Sequence, residues 1–125
     1  VFPDWWKLPD PGSQAAWDAI AAAIERYDPY CRGVLLLGLD ASHAEIEASF
    51  ELAARQPVCK GFAIGRTIFG APARAWMRGE IDDATAIARM AATYAGLIES
   101  WQRARARSGI NSSPTRPPAH AVASE

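Results

Sequence analysis

The chain has 125 residues, room for one ordinary domain and not for two. Its 13 Lys and Arg nearly cancel its 14 Asp and Glu, a formal net charge of −1 that excludes a generally basic surface for nucleic acid or anionic lipid. Half of the residues are apolar, enough to build a core, yet the run Val34-Leu35-Leu36-Leu37 falls far short of the roughly 20 residues of a membrane span. Two cysteines cannot build a secreted disulfide scaffold, and no charged-then-apolar signal opens the sequence. The expectation is a soluble, cytoplasmic chain. It starts at Val1 and reaches an apparent strand within about four residues, which reads as the C-terminal piece of something longer.

Taken in order, the first apolar segment is Trp5-Trp6-Lys7-Leu8. Ser13 can cap the helix that follows, in which Trp17, Ile20, Ile24 and Tyr27 form one apolar stripe, and Asp28-Pro29 ends it. The second strand is Gly33–Leu37. Ser42-His43-Ala44-Glu45 is a capping box, Ile46, Phe50 and Ala53 are the buried stripe of a second helix, and Gln56-Pro57 stops it. The third strand is Gly61–Ile64, followed by a short helix from Gly70 to Met77 with Pro72 near its first turn. Asp82 can cap a long helix whose Ile87, Met90, Tyr94, Leu97 and Trp101 face inward. Residues 1–107 form the folded unit; from 108 to 125 the text turns to Ser, Pro and Ala and reads as a disordered tail.

The strands recur about every 28 residues with a helix after each, the pattern of βα units and a parallel sheet. Strands two and three are apolar on consecutive residues, as when helices cover one face and a closed interior the other. A (β/α)₈ TIM barrel takes about 250 residues, so this chain would supply its last three βα units. The competing architecture is a standalone three-stranded domain, which would leave an unpaired edge on both sides.

Lys7 is the most informative residue. It stands near a strand end, where barrel active sites lie, flanked by two Trp and a Leu. Desolvation there would favour the neutral amine, the nucleophile for a Schiff base with a ketone. The competing reading is a lysine whose stem packs on Trp while its head reaches water. Lys60 stands at the opposite, N-terminal end of its strand and reads as structural. Gly65-Arg66-Thr67 follows the third strand and Gly38 closes the second. Glycine lets backbone N–H groups approach a phosphate, and Arg66 brings a fork that fits one. Against this, an Arg at a loop is usually only solvated. Cys31 and Cys59 each precede a strand without metal-ligand spacing and read as reduced small hydrophobes. No metal cluster is apparent. His43, in the capping box, and His120, in the tail, have no visible partner. Trp17, Trp76 and Trp101 suit helix faces, while Asp82 and Asp83 read as part of a cap.

Three stretches carry a family resemblance: Asp4-Trp5-Trp6-Lys7-Leu8-Pro9, Arg32-Gly33-Val34-Leu35-Leu36-Leu37-Gly38-Leu39-Asp40, and Lys60 through Gly70 (Lys-Gly-Phe-Ala-Ile-Gly-Arg-Thr-Ile-Phe-Gly). They resemble the C-terminal domain of bacterial myo-inositol-catabolism proteins, where it follows a ribokinase-like 5-dehydro-2-deoxygluconokinase. That domain is in turn similar to class I tagatose-bisphosphate aldolases, which are (β/α)₈ barrels. The resemblance implies a Schiff-base lysine at Lys7, phosphate binding at Gly38, Gly65 and Arg66, and no cofactor. The implied reaction is retro-aldol cleavage of 2-deoxy-5-keto-gluconate 6-phosphate to dihydroxyacetone phosphate and malonate semialdehyde. The first five strands, and any acid or base they carry, are absent. The implied partners are the phosphorylated sugar-acid substrate, the N-terminal part of the barrel and the fused kinase. The alternative is a non-catalytic module that binds a phosphosugar or steadies the kinase. Alone, the chain is expected to be marginal and inactive, pairing with a second copy edge to edge or aggregating.

Overall fold

The computed structural model describes residues 2–110. Residues 111–125 lie outside the described residues, and with them most of the expected tail and His120.

Three strands, β1 (Trp5–Leu8), β2 (Gly33–Leu37) and β3 (Cys59–Ala63), form one parallel sheet in the order β1-β2-β3. The helices are α1 (Gln14–Tyr27), α2 (His43–Ala53), α3 (Arg66–Met77) and α4 (Asp83–Ser108). The α/β class and the repeated βα unit are as the apolar pitch predicts.

The helix starts follow their caps. Ser13 accepts from the Ala16 N–H, and Asp82 accepts from Thr85. At α2 the Ser42 hydroxyl takes the Glu45 N–H while the Glu45 carboxylate takes the Ser42 N–H, the full reciprocal box. These bonds hold the carboxylates of Glu45 and Asp82 below their ordinary range. Helix α4 stops at Gly109, whose φ of 71° is the left-handed cap glycine adopts without strain. The folded unit therefore reaches a little beyond the expected boundary at 107.

One face of the sheet is covered. Val34 and Leu36 of β2 meet Trp17 of α1, Ile46 and Phe50 of α2, and Leu97 and Ala104 of α4 in a single buried cluster. Phe50 stacks against Phe62 of β3 at 5.1 Å and meets Trp101 of α4 edge-on at 5.3 Å. Arg105, on α4, reaches back to donate to the carbonyls of Ala54, Gln56 and Cys59, and its guanidinium lies 5.1 Å over the Trp101 ring. It thus adds donors to the carbonyls at the junction of α2 and β3, where the Gln56 carbonyl also accepts from the Cys59 N–H at 3.1 Å.

Several expected details shift. Strand β3 begins at Cys59 rather than Gly61, because a bulge opposite Val34 and Leu35 absorbs Lys60. Lys60 remains at the N-terminal end, its stem lying where a side chain at residue 33 would go. A Cβ on Gly33, at φ 155°, would meet Lys60 Cγ at 2.5 Å, so only glycine fits. Helix α3 begins at Arg66, not Gly70, with Pro72 inside it; the proline deletes one rung of the ladder without stopping the helix. On α1, Tyr27 is exposed. On α4, Leu97 is buried and Trp101 packs on the core as expected, while Ile87 is 67% exposed and Tyr94 is half exposed with its ring edge-on to Phe62 at 6.2 Å. The buried face also takes in Ala86, Ser100 and Ala104, because α4 packs against both α2 and α3.

Among the described residues the other face of the sheet carries no helix. In a pleated strand alternate residues share a face. Trp6 and Leu8 pair with Val34 and Leu36 on the covered side, which puts Trp5, Lys7, Leu35, Leu37, Gly61 and Ala63 on the open side. Cys31 and Cys59 are free thiols, and burial pushes Cys59 up to about 11.

Candidate functional site

The C-terminal ends of the parallel strands gather the singled-out residues along one rim. Lys7 sits one residue from the end of β1, beside Leu35 of β2, and is exposed on the open face. The expected pair of tryptophan walls reduces to one. Trp5 shares the open face with Lys7, whereas Trp6 turns to the covered side, where its indole Nε1 donates to Asp28 Oδ2 at 2.8 Å. Period-2 alternation forbids two consecutive residues from flanking the same side chain. Among the described residues no element covers Lys7; the desolvation expected there belongs to the closed barrel.

Past β2, Gly38 opens a tight turn closed by the Ala41 N–H on the Gly38 carbonyl at 2.8 Å. Its two central residues are both left-handed, Leu39 at φ 44° and Asp40 at φ 60°. Asp tolerates that conformation and Leu does so poorly, so the turn stores strain. The expectation that Gly38 admits a ligand has a competing explanation in its packing. A Cβ there would meet Ile64 Cγ1 at 3.0 Å, so the missing side chain already makes room for the segment after β3.

Past β3, Gly65 is the N-cap of α3 and contributes no side-chain cap, in contrast to Ser13, Ser42 and Asp82 at the other three helices. Its carbonyl accepts from Ile68 and Phe69, while a Cβ at 65 would press on Phe69 Cε1 at 3.0 Å. Arg66 is the first residue of α3, and its Nη1 lies 2.8 Å from Asp40 Oδ2. Thr67 Oγ1 donates to the Ala41 carbonyl at 3.3 Å. The turn after β2 and the start of α3 are therefore joined twice. Gly38, Gly65 and Arg66 come together there. Lys7 stands apart on β1, two interstrand spacings from β3, roughly 10 Å across the rim.

Asp40 is the residue that sequence reading passed over. It lies within a quoted motif, but nothing in the one-dimensional pattern announces a left-handed pair or a partner 26 residues on.

Elsewhere, His43 does have a partner: its Nε2 is 3.7 Å from Glu47 Oε1. Glu47 also accepts from the Ser100 hydroxyl at 2.6 Å, a bond that holds its carboxyl below the ordinary range. Arg103 and Arg107 of α4 pair with Glu47 and Glu51 along the same polar cleft of about 370 Å³. Each charge in it is matched, so the cleft reads as a seam between two helices. Asp82 and Asp83 divide the expected capping role. Asp82 caps α4, while Asp83 accepts from the exposed Trp76 indole at 2.6 Å. Among the described residues, no group of three or more His, Cys, Asp or Glu is placed to hold a metal ion, and no helix is long and apolar enough to cross a membrane.

No curated protein and no solved structure matches the chain. A protein family described as uncharacterized and conserved in bacteria (DUF2090) does match, over residues 1–105, from before β1 to near the end of α4. With that span covering all three βα units, the chain belongs to the DUF2090 family.

Proposed function

We propose that this chain is the C-terminal part of a cytoplasmic Schiff-base aldolase that cleaves a phosphorylated keto sugar acid, its three βα units being the last three of a (β/α)₈ barrel. The observation that carries the reading is the one-sided sheet. Strand order follows chain order, helices cover one face, and Lys7 lies on the bare face near the end where Gly38, Gly65 and Arg66 sit. In a closed barrel the bare face becomes the interior and that rim the active-site mouth.

In this mechanism the Lys7 amine adds to the substrate ketone and water leaves, forming an iminium. A base outside the assigned residues takes the proton of the β-hydroxyl. The carbon–carbon bond then breaks, its electron pair moving onto the iminium to give an enamine, and malonate semialdehyde departs. Protonation and hydrolysis release dihydroxyacetone phosphate and restore the amine. Arg66 and the uncapped start of α3 hold the phosphate, where backbone N–H groups and the helix dipole favour an anion. The full-length protein treated with sodium borohydride in the presence of 2-deoxy-5-keto-gluconate 6-phosphate is expected to carry a covalent adduct on Lys7. Turnover surviving in Lys7→Met would refute the assignment.

A second reading is favoured by the exposure of Lys7 and the lack of any acid or base assigned beside it: a phosphosugar-binding or kinase-steadying module without catalysis. Phosphosugar binding without cleavage by the full-length protein would select it.

A further inference from the structure

Resting on that reading of the rim, we infer that Asp40 is a positioning residue for Arg66. Its carboxylate holds the guanidinium by Nη1, so that the remaining N–H edge is presented to an anion at the ends of β2 and β3.

The pair is poorly explained as a brace for the fold. Both side chains are open to solvent, 68% for Arg66 and 50% for Asp40, and an ion pair so exposed adds little to folding. Yet the backbone adopts two successive left-handed residues, Leu39 and Asp40, to bring that carboxylate to Arg66. Glycine at 40 would suit the turn alone; aspartate adds an acceptor aimed at the next loop. A guanidinium has five donors in a planar fork. Among the described residues Arg66 pairs with no carboxylate besides Asp40, and it does so through one terminal nitrogen. Fixing one edge of the plane orients the other, and the rotamer freedom that binding would otherwise remove is already lost before the ligand arrives. Thr67, bonded to the Ala41 carbonyl, keeps the two loops in register so that the pair persists.

The test is titration calorimetry of the full-length protein with inorganic phosphate, together with melting of each variant. Asp40→Gly relaxes the left-handed backbone but removes the acceptor. It should weaken phosphate binding by about fivefold or more while the melting midpoint holds or rises. Asp40→Asn keeps both left-handed tolerance and an oxygen for Nη1, and should bind within about twofold of wild type or tighter, having also shed a negative charge near the anion. Arg66→Ala should bind least. Wild-type affinity in Asp40→Gly alongside lost binding in Arg66→Ala overturns the positioning role and leaves the phosphate site standing. Tighter binding in Asp40→Gly overturns it too, making Asp40 a competitor for Arg66, and so does an Asn variant as weak as the Gly one. Undiminished binding in Arg66→Ala overturns both the site and its positioning.

Discussion

The two faces of the sheet are built from the same kinds of residues and end in opposite conditions. Leu36 and Leu35 are neighbours on β2. Leu36 is 1% exposed under Phe50, Ile46 and Trp17, while Leu35 stays half-buried beside Lys7 on the bare side. The covered face holds the fold through contacts spread over α1, α2 and α4. The bare face carries Lys7 and meets no helix among the described residues. Hydrophobicity alone therefore says which residues seek burial; the partner element says which of them get it.

The largest expected effect sets these neighbours against each other. Leu36→Ala should cost about 2–5 kcal/mol in urea unfolding of this chain, the range for emptying a packed site, and Leu35→Ala about 1 kcal/mol or less. Equal losses would break the distinction between the faces. The proposed barrel adds a second arm: in a longer protein that closes it over the bare face, the Leu35 value should climb into the Leu36 range.

Next in size is Arg105→Met, which keeps the stem over Trp101 but strips the donors from three carbonyls. The Gln56 carbonyl keeps the Cys59 N–H, and the lost donors at Ala54 and Cys59 should cost about 1–3 kcal/mol. A loss within a few tenths would mean that water replaces the guanidinium and that α4 is held by apolar contact alone.

The smallest effect at neutral pH concerns Cys59, fully buried on the covered side. Its thiol is raised in the fold from 9.0 to about 11 by burial. The neutral form is the one the fold favours. The contribution is therefore complete below pH 9 and is lost as pH rises toward 11, where the unfolded chain ionises first. Denaturation curves between pH 9 and 11 should slope less in Cys59→Ala than in wild type. Parallel slopes would remove Cys59 from the account of alkaline stability.

Much of this was legible in one dimension, for identifiable reasons. The strands at Trp5–Leu8 and Gly33–Leu37, the Ser13 and Asp82 caps and the Ser42–Glu45 box depend on interactions within a few residues, so spacing reveals them. The start of α3 was not legible, because Pro72 imitates a first turn when it is already inside the helix. The inward face of α4 was legible in part. Leu97 and Trp101 of the expected stripe meet the core, but Ile87 does not, and Ala86, Ser100 and Ala104 join the buried face because α2 and α3 both pack on this helix. For the candidate site, Lys7, Gly38, Gly65 and Arg66 could be placed at strand ends from the sequence, while Asp40 could not be given a role, since its partner belongs to another βα unit.

By itself, then, the sequence determined the alternation of strands and helices, the α/β class and the end of the sheet at which the distinctive side chains lie, because those follow from periodicity, caps and chain direction. Only the tertiary structure decided that Trp6 leaves Lys7 for Asp28, that Leu39 and Asp40 turn left-handed, and that Arg66 is held across the gap between two loops. Each of those joins residues more than 20 positions apart or spends local strain on such a contact, and a local pattern carries no record of either.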